Sequence, residues 1–345
     1  MMPVPSTVLA RYGLGGADVL PISAGWINPT WLVIAKGGDR YVLQQVNKIF
    51  PVEIHQDIEA VTAHLERKHV STPHLVRTSR GELFVRENGA VWRLLSFIDG
   101  DTRTAIRTTD EATEAGRILA RFHVALADLE HEFKGARVSV HDTPHHLQRL
   151  AQALAERKDH PRYAAIEALG REILKTAEGV PALPALPRRV VHGDPKISNI
   201  LFDSATGKAL CFIDLDTVTR MPLPLELGDA FRSWCNPAGE NTRTGDFSAP
   251  MFQAAIAGYA EFASAMMSPV EIEAILPGTL TIAVELAARF CADALREDYF
   301  GWDPDHFASH SEHSEVRAAG QLAAAFALRH QSATLEKIVA DVFGK

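Results

Sequence analysis

The stretch that most constrains this chain is residues 190–216. Three short apolar runs, Val190-Val191, Ile200-Leu201-Phe202 and Leu210-Cys211-Phe212-Ile213, are interrupted by the octet His192-Gly193-Asp194-Pro195-Lys196-Ile197-Ser198-Asn199. The last run ends in Asp214-Leu215-Asp216. Apolar runs this short, bounded by turn residues, read as buried strands rather than helices. The octet is then a tight loop between strands, with Asp214 at a strand end.

Asp194 and Asn199 are five residues apart, and Asp214 lies twenty residues beyond Asp194. Such a set of oxygens suits phosphoryl transfer. That reaction needs a carboxylate to orient an attacking hydroxyl, and oxygen ligands to hold Mg²⁺ against a triphosphate such as ATP. Asp194 is the candidate base, and Asn199 and Asp214 are candidate Mg²⁺ ligands. Lys196 is within reach of a transferring phosphoryl group, whose charge it would offset. The protein-kinase catalytic loop has the same Asp-x4-Asn spacing followed by a second metal-binding Asp. The competing reading is a plain polar turn, since Gly-Asp and Asn are common turn formers.

Residues 1–98 read as strand-rich. Residues 4–11 have a short helical pattern. Strands are expected at 18–23, 31–35 and 41–45, the last two joined by the hairpin signal Lys36-Gly37-Gly38-Asp39. Ile54, Ile58, Val61 and Leu65 fall on one face of a helix over 51–67. Two more strands follow at 83–86 and 91–97, around Glu87-Asn88-Gly89. After Ile98-Asp99-Gly100-Asp101 the pattern turns helical: 110–129, 145–157, 162–178, and almost everything from 225 onward. The expected organisation is α+β, with a nucleotide-binding lobe over 1–98 and a helical lobe over 99–345 carrying the catalytic loop and the acceptor pocket.

Composition narrows the class. With 345 residues, 46% hydrophobic and 23% charged, the chain can bury a full core, which excludes disorder as its main state. Its net charge of −8 argues against a nucleic-acid partner. The three cysteines are scattered and form no CxxC, which fits a reducing compartment. No signal peptide and no run of about 18 apolar residues is evident, so a soluble cytoplasmic protein without a membrane partner is expected. Nothing in the sequence fixes the oligomeric state.

His192-Gly193-Asp194-x4-Asn199 with Ile213-Asp214-x-Asp216 resembles the aminoglycoside phosphotransferase/choline kinase superfamily, and the resemblance spans nearly the whole chain. Leu119-Ala120-Arg121-Phe122-His123 and Gly228-Asp229-Ala230-Phe231-Arg232 match further family segments. The resemblance implies a protein-kinase-like two-lobe fold, with a small antiparallel-sheet lobe, a hinge and a large helical lobe. It implies an ATP- and Mg²⁺-dependent small-molecule kinase, a phosphotransferase with an alcohol acceptor.

Gly25-Trp26-Ile27-Asn28-Pro29-Thr30, Tyr41-Val42-Leu43-Gln44-Gln45-Val46-Asn47 and Arg289-Phe290-x2-Asp293-x5-Tyr299-Phe300 resemble the N-acetylhexosamine 1-kinase branch most closely. This implies a sugar acceptor, phosphorylated on its anomeric hydroxyl. The alternatives are a choline, aminoglycoside or homoserine kinase, or a non-catalytic nucleotide-binding module. The implied nucleotide-binding residues are Gly25, Asn28, Thr30, Gln44, Ser96 and Ile98. The implied acceptor-binding residues are Asp216, Arg289, Asp293 and Tyr299, and the implied braces are His192 and Asp229. One departure stands out: where kinases end their third strand in a phosphate-binding lysine, this chain has Gln44. Glu59 is a candidate for the helical glutamate that such a lysine would pair with.

Three other signals have competing readings. His306, His310 and His313 recur at helical spacing and suggest either a metal site or a solvated helix face. Ser198 beside His192 lacks the glycine elbow of a nucleophilic serine. Arg289 and Asp293 are four apart, so a plain surface ion pair is the alternative to an acceptor contact.

Overall fold

A computed structural model describes residues 4–22, 27–135 and 140–344. Alternating apolar residues and glycine turns build its first sheet. Helix α1 (Ser6–Arg11) precedes strands β1 (Asp18–Ile22), β2 (Thr30–Ile34) and β3 (Arg40–Val46). Helix α2 (Ile54–Arg67) interrupts them. Then come β4 (Leu75–Val76), β5 (Val85–Glu87) and β6 (Ala90–Ser96). The sheet runs β1-β2-β3-β6-β4, with β5 also paired to β6, and every pairing is antiparallel. Asn88 and Gly89 both have positive φ, 51° and 74°, as a two-residue hairpin of the right twist requires. Strand β4 is only two residues long, too short to leave an alternation pattern in the sequence.

The rest is mostly helical: α3 (Thr109–Leu126), α4 (Thr143–Glu156), α5 (Tyr163–Glu178), α6 (Leu223–Trp234), α7 (Ala249–Ala263), α8 (Pro269–Glu273), α9 (Ile275–Arg296), α10 (His310–His330) and α11 (Ser332–Phe343). Four short strands sit between α5 and α6. Strands β7 (Arg188–Val191) and β10 (Thr219–Pro222) form one antiparallel pair, and β8 (Ile200–Phe202) and β9 (Ala209–Phe212) another. The candidate residues occupy the loops joining these pairs. The region just after the sheet is tied to the second pair by a bridge between Asp101 and Phe202, whose amides and carbonyls exchange hydrogen bonds of 2.8 and 2.9 Å.

Two apolar clusters form. One lies between α1 and one face of the sheet: Val8, Leu9, Trp31, Val33, Leu43, Val85, Trp92 and Leu94. The other is far larger and runs through the helices, but it also takes in Ile54, Ile58, Val61 and Leu65 of α2. Helix α2 is moreover fastened to residues after α3. Buried Asp57 accepts hydrogen bonds from the amides of Lys134 (3.1 Å) and Gly135 (2.6 Å), and His64 pairs with Asp128 at 2.9 Å. So α2 follows the sheet strands in sequence but shares its packing with the helical part.

Helix α9 has a mean hydropathy of 1.4 in its most apolar window. By length and composition alone it could cross a membrane. In sequence Glu285, Arg289 and Asp293 break its apolar run. In the structure 83% of that window is buried within the protein, where α9 packs against α4, α5, α6 and α10.

Helices α3 and α7 touch through glycine. A Cβ placed on Gly116 would sit 2.0 Å from the carbonyl oxygen of Ala255. Overpacking of this kind costs about 1–3 kcal/mol, more than the gain in helix propensity. Gly116→Ala is therefore expected to lower stability by about that amount in denaturant unfolding. Gly15→Ala, where a Cβ meets nothing within 4 Å, is expected to leave it unchanged.

Candidate active site

The β8–β9 hairpin brings two distant residues to one end. Asn199 immediately precedes β8 and Asp214 lies two residues past the end of β9. The amide of Ile213 donates to the Asn199 carbonyl at 2.8 Å. Asn199 Nδ2 donates to the Asp194 backbone oxygen (2.9 Å) and to Asp194 Oδ2 (3.0 Å). Lys196 Nζ donates to the same Oδ2 at 2.5 Å. Burial opposes the charge on Asp194, but Lys196 outweighs it and holds the carboxyl below its usual range; Lys196 is raised in return.

The loop is held from behind. His192 is fully buried; its Nε2 shares a hydrogen bond with the Ile213 carbonyl at 3.0 Å. Glu226, in the first turn of α6 and fully buried, accepts from the amides of His192 (2.9 Å) and Gly193 (3.0 Å). Trp234 Nε1 donates to the Pro195 carbonyl and Ser233 Oγ accepts from the Ile197 amide. Gly193 has φ 83°, and a Cβ there would lie 2.2 Å from the Thr217 carbonyl oxygen, so only glycine fits. The brace expected of Asp229 is differently placed. Asp229 bonds Arg232 at 2.7 Å, and the carboxylate gripping the loop is Glu226, one turn earlier.

Asp214 stands apart from its neighbours. It adopts a left-handed backbone, φ 63° and ψ 59°, and its Oδ1 is buried without a hydrogen-bond partner. Burial, then Asp216, then Asp194 push its carboxyl up to about 7, against the pull of Lys196 and Arg93. An orphaned carboxylate oxygen among other acids fits a cation. So does the donor chemistry, because Mg²⁺ takes one or two carboxylates and completes its shell with water and phosphate. Asp214 Oδ1 and the Asn199 side-chain oxygen are the groups that would hold it. No cluster of three or more His, Cys, Asp or Glu suited to a metal occurs among the described residues. The histidines at 306, 310 and 313 diverge: His306 to Asp303, His310 to Asp293, His313 to Asn241.

The residues expected to bind nucleotide line up across the sheet. Thr30 lies beside Gln44, and Gln44 beside Arg93. Asn28 Nδ2 donates to Asp216 Oδ2 at 2.7 Å. Gly25 lies outside the described residues. Ser96 is tied to His74 through both its amide and its hydroxyl, and Ile98 is half-buried at the edge of the connection to α3. Glu59 pairs with Arg77 at 2.5 Å. Asp216 is buried and grips Arg93 through both oxygens. Arg93 went unnoticed in the sequence, although a single arginine inside Val-Trp-Arg-Leu-Leu signals a buried charge in need of a partner.

The remaining expected acceptor residues are partly committed elsewhere. Asp293 is 2% exposed and accepts from the amides of Asp298 and Tyr299, from Ser314 Oγ, and bonds His310. It shapes the turn after α9. It does not pair with Arg289. Arg289 donates to Tyr299 Oη (3.1 Å), lies over the Tyr299 and Phe300 rings, and approaches Glu285 at 3.6 Å. Arg289 and Tyr299 are thus in contact with each other.

A model of the phosphotransferase enzyme family (APH) matches residues 18–263, and the chain belongs to that family. It is a small-molecule kinase, a phosphotransferase that acts on hydroxyl acceptors. Solved structures share its protein-kinase-like fold at low identity. An aminoglycoside phosphotransferase from Alicyclobacillus acidocaldarius superposes with a TM-score of 0.64 at 14% identity, covering 97% of this chain and 98% of that one. A microcompartment-associated aminopropanol kinase gives 0.63 at 17%, covering 96% and 97%. A spectinomycin phosphotransferase in complex with ADP and spectinomycin gives 0.60 at 13%, covering 95% and 99%.

Two predictions follow from the site's wiring. Glu226→Ala strands two buried amides and is expected to cost about 2 kcal/mol or more in denaturant unfolding. The folded protein holds the Asp214 proton more tightly than the unfolded chain does. Its contribution to stability is therefore present below the ordinary carboxylate value and lost as pH rises through about 7. Without added cation, Asp214→Asn is expected to gain in melting temperature over the parent between about pH 5 and about pH 8.

Proposed function

We propose that this protein transfers the γ-phosphoryl group of ATP, bound with Mg²⁺, to the anomeric hydroxyl of an N-acetylhexosamine or a related sugar. The observation that carries the kinase chemistry is the division of labour between two aspartates: Asp194 is saturated on one oxygen by Lys196 and Asn199, while Asp214 has a buried oxygen with no partner.

Both donors to Asp194 land on Oδ2. Oδ1 is thus left to accept the hydrogen of an incoming hydroxyl. A carboxylate stabilised in this way is a weak base. Its part is to orient the hydroxyl in line with the phosphoryl group and to take the proton late, as suits a loose transition state. Lys196 keeps that carboxylate ionised and brings positive charge to the same place. Asn199 and Asp214 would hold Mg²⁺, which would supply charge neutralisation to the phosphates.

The acceptor reading rests on which acids are already spent. A quaternary or primary ammonium acceptor needs an unpaired carboxylate or an aromatic cage. Glu226 holds the loop amides. Glu240 pairs with Arg232 at 2.7 Å. Glu285 bonds His141 (2.9 Å) and Thr143 (2.6 Å), and Asp293 bonds His310 and Ser314. With all four committed, a neutral polyhydroxyl acceptor is favoured over choline or an aminoglycoside. The segments resembling the N-acetylhexosamine 1-kinase branch agree.

The test is phosphate transfer from ATP with Mg²⁺ to a panel containing N-acetylglucosamine, N-acetylgalactosamine, choline, homoserine and an aminoglycoside. Turnover is expected with an N-acetylhexosamine, and Asp194→Asn is expected to lower kcat by about 100-fold or more. Turnover with choline alone would refute the sugar assignment, and equal turnover by Asp194→Asn would refute the role given to that residue.

A further inference from the structure

A kinase of the ordinary type carries one lysine at the end of its third strand, paired with a glutamate from the following helix. Here both partners are missing from those places. The lysine position is Gln44, and the candidate glutamate of α2, Glu59, is engaged with Arg77. What occupies the space instead is a closed circuit of hydrogen bonds.

Gln44 Oε1 accepts twice from Arg93, from Nε at 2.9 Å and from Nη2 at 2.7 Å. The guanidinium then forks onto Asp216, Nη1 to Oδ1 and Nη2 to Oδ2 (2.9 Å). Asn28 Nδ2 meets the same Oδ2, and Thr30 Oγ1 donates to the Asn28 carbonyl at 2.8 Å. Gln44 Nε2 closes the ring with a long bond to Thr30 Oγ1, 3.3 Å. Arg93 is 1% exposed and Asp216 2%, so water does not compete for these bonds. Gln44 is only partly buried.

A glutamine at this position has two faces. Its NH₂ group would donate to a phosphate oxygen; its carbonyl would repel one. Arginine has five donors and no acceptor, so a guanidinium bonded twice to the amide oxygen leaves only one sense for the side chain. The oxygen points inward, and an amide hydrogen not used by Thr30 points away from the pair. The adjacent positive charge also polarises the amide and strengthens it as a donor. A lysine at 93 would bring the charge without the fork.

We propose that Arg93 is a positioning residue that acts through Gln44: it fixes the amide sense of Gln44 so that Nε2 donates to the phosphate oxygens of the bound nucleoside triphosphate. The protein thus divides between two strands what one lysine does elsewhere, with Asp216 as the counter-ion. This rests on the reading above that the cleft binds ATP.

The experiment uses the full chain and needs no acceptor. The Kd for a non-hydrolysable ATP analogue with Mg²⁺ is measured by calorimetry for the parent, Gln44→Met, Arg93→Lys and the double variant, alongside ligand-free melting temperatures. Each single change is expected to raise Kd about tenfold, the worth of one hydrogen bond to a charged group. The double variant is expected to bind no worse than Gln44→Met alone, because the guanidinium has no separate contact to lose. Arg93→Lys binding within twofold of the parent, or losses that multiply in the double variant, would overturn the proposal. Should Arg93→Lys not fold, Arg93→Met/Asp216→Asn, which removes both charges together, takes its place in the same cycle and is read the same way. A parent that binds no nucleotide overturns the ATP reading and this inference with it. A parent that binds, with an unaffected Arg93→Lys, overturns only this inference.

Discussion

The buried ion pair between Arg93 and Asp216 is the joint on which the site depends. Two charges removed from water are tolerated only when each satisfies the other and spare donors and acceptors find partners. Here they do: the guanidinium also bonds Gln44, and the carboxylate also accepts from Asn28. The pair therefore locks β3, β6, the segment leading into β2 and the turn after β9 to one another. Asp216 is only two residues beyond Asp214 in that turn. The placement of the orphaned carboxylate is referenced, through two peptide units, to the sheet that faces it.

A second set of constraints comes from the opposite side. Glu226, Ser233 and Trp234 of α6 all bond backbone of the 192–197 loop. The loop backbone is thereby fixed before any side chain of the loop acts. Helix α2 completes the frame through Asp57 and through its share of the large apolar cluster. One face of the sheet closes on α1 through its own apolar cluster, while Val46 and Leu75 join the larger one.

Much of this was legible in the residues, and what was not has a common cause. The Asp194–Asn199 loop could be read because its geometry is local, set by a few residues between strands. The strands at 31–35 and 41–45 and the helix at 51–67 were legible because periodicity is also local. Residues paired over long separations were hidden. Arg93 meets Gln44 only through the β3–β6 register, and Asp216 across 123 residues. Glu226 was hidden as well, because nothing in sequence ties it to amides 33 and 34 residues earlier. Arg289 and Asp293 sit at ion-pair spacing, yet tertiary contacts took each elsewhere: Asp293 was claimed by backbone amides of the next turn, and Arg289 by an aromatic pair.

The left-handed backbone at Asp214 has one more consequence. Only glycine, asparagine and aspartate visit that conformation at little cost. Of these three, glycine offers no ligand and asparagine no charge. Backbone and chemistry each permit a small vocabulary at this position, and the two vocabularies share a single word.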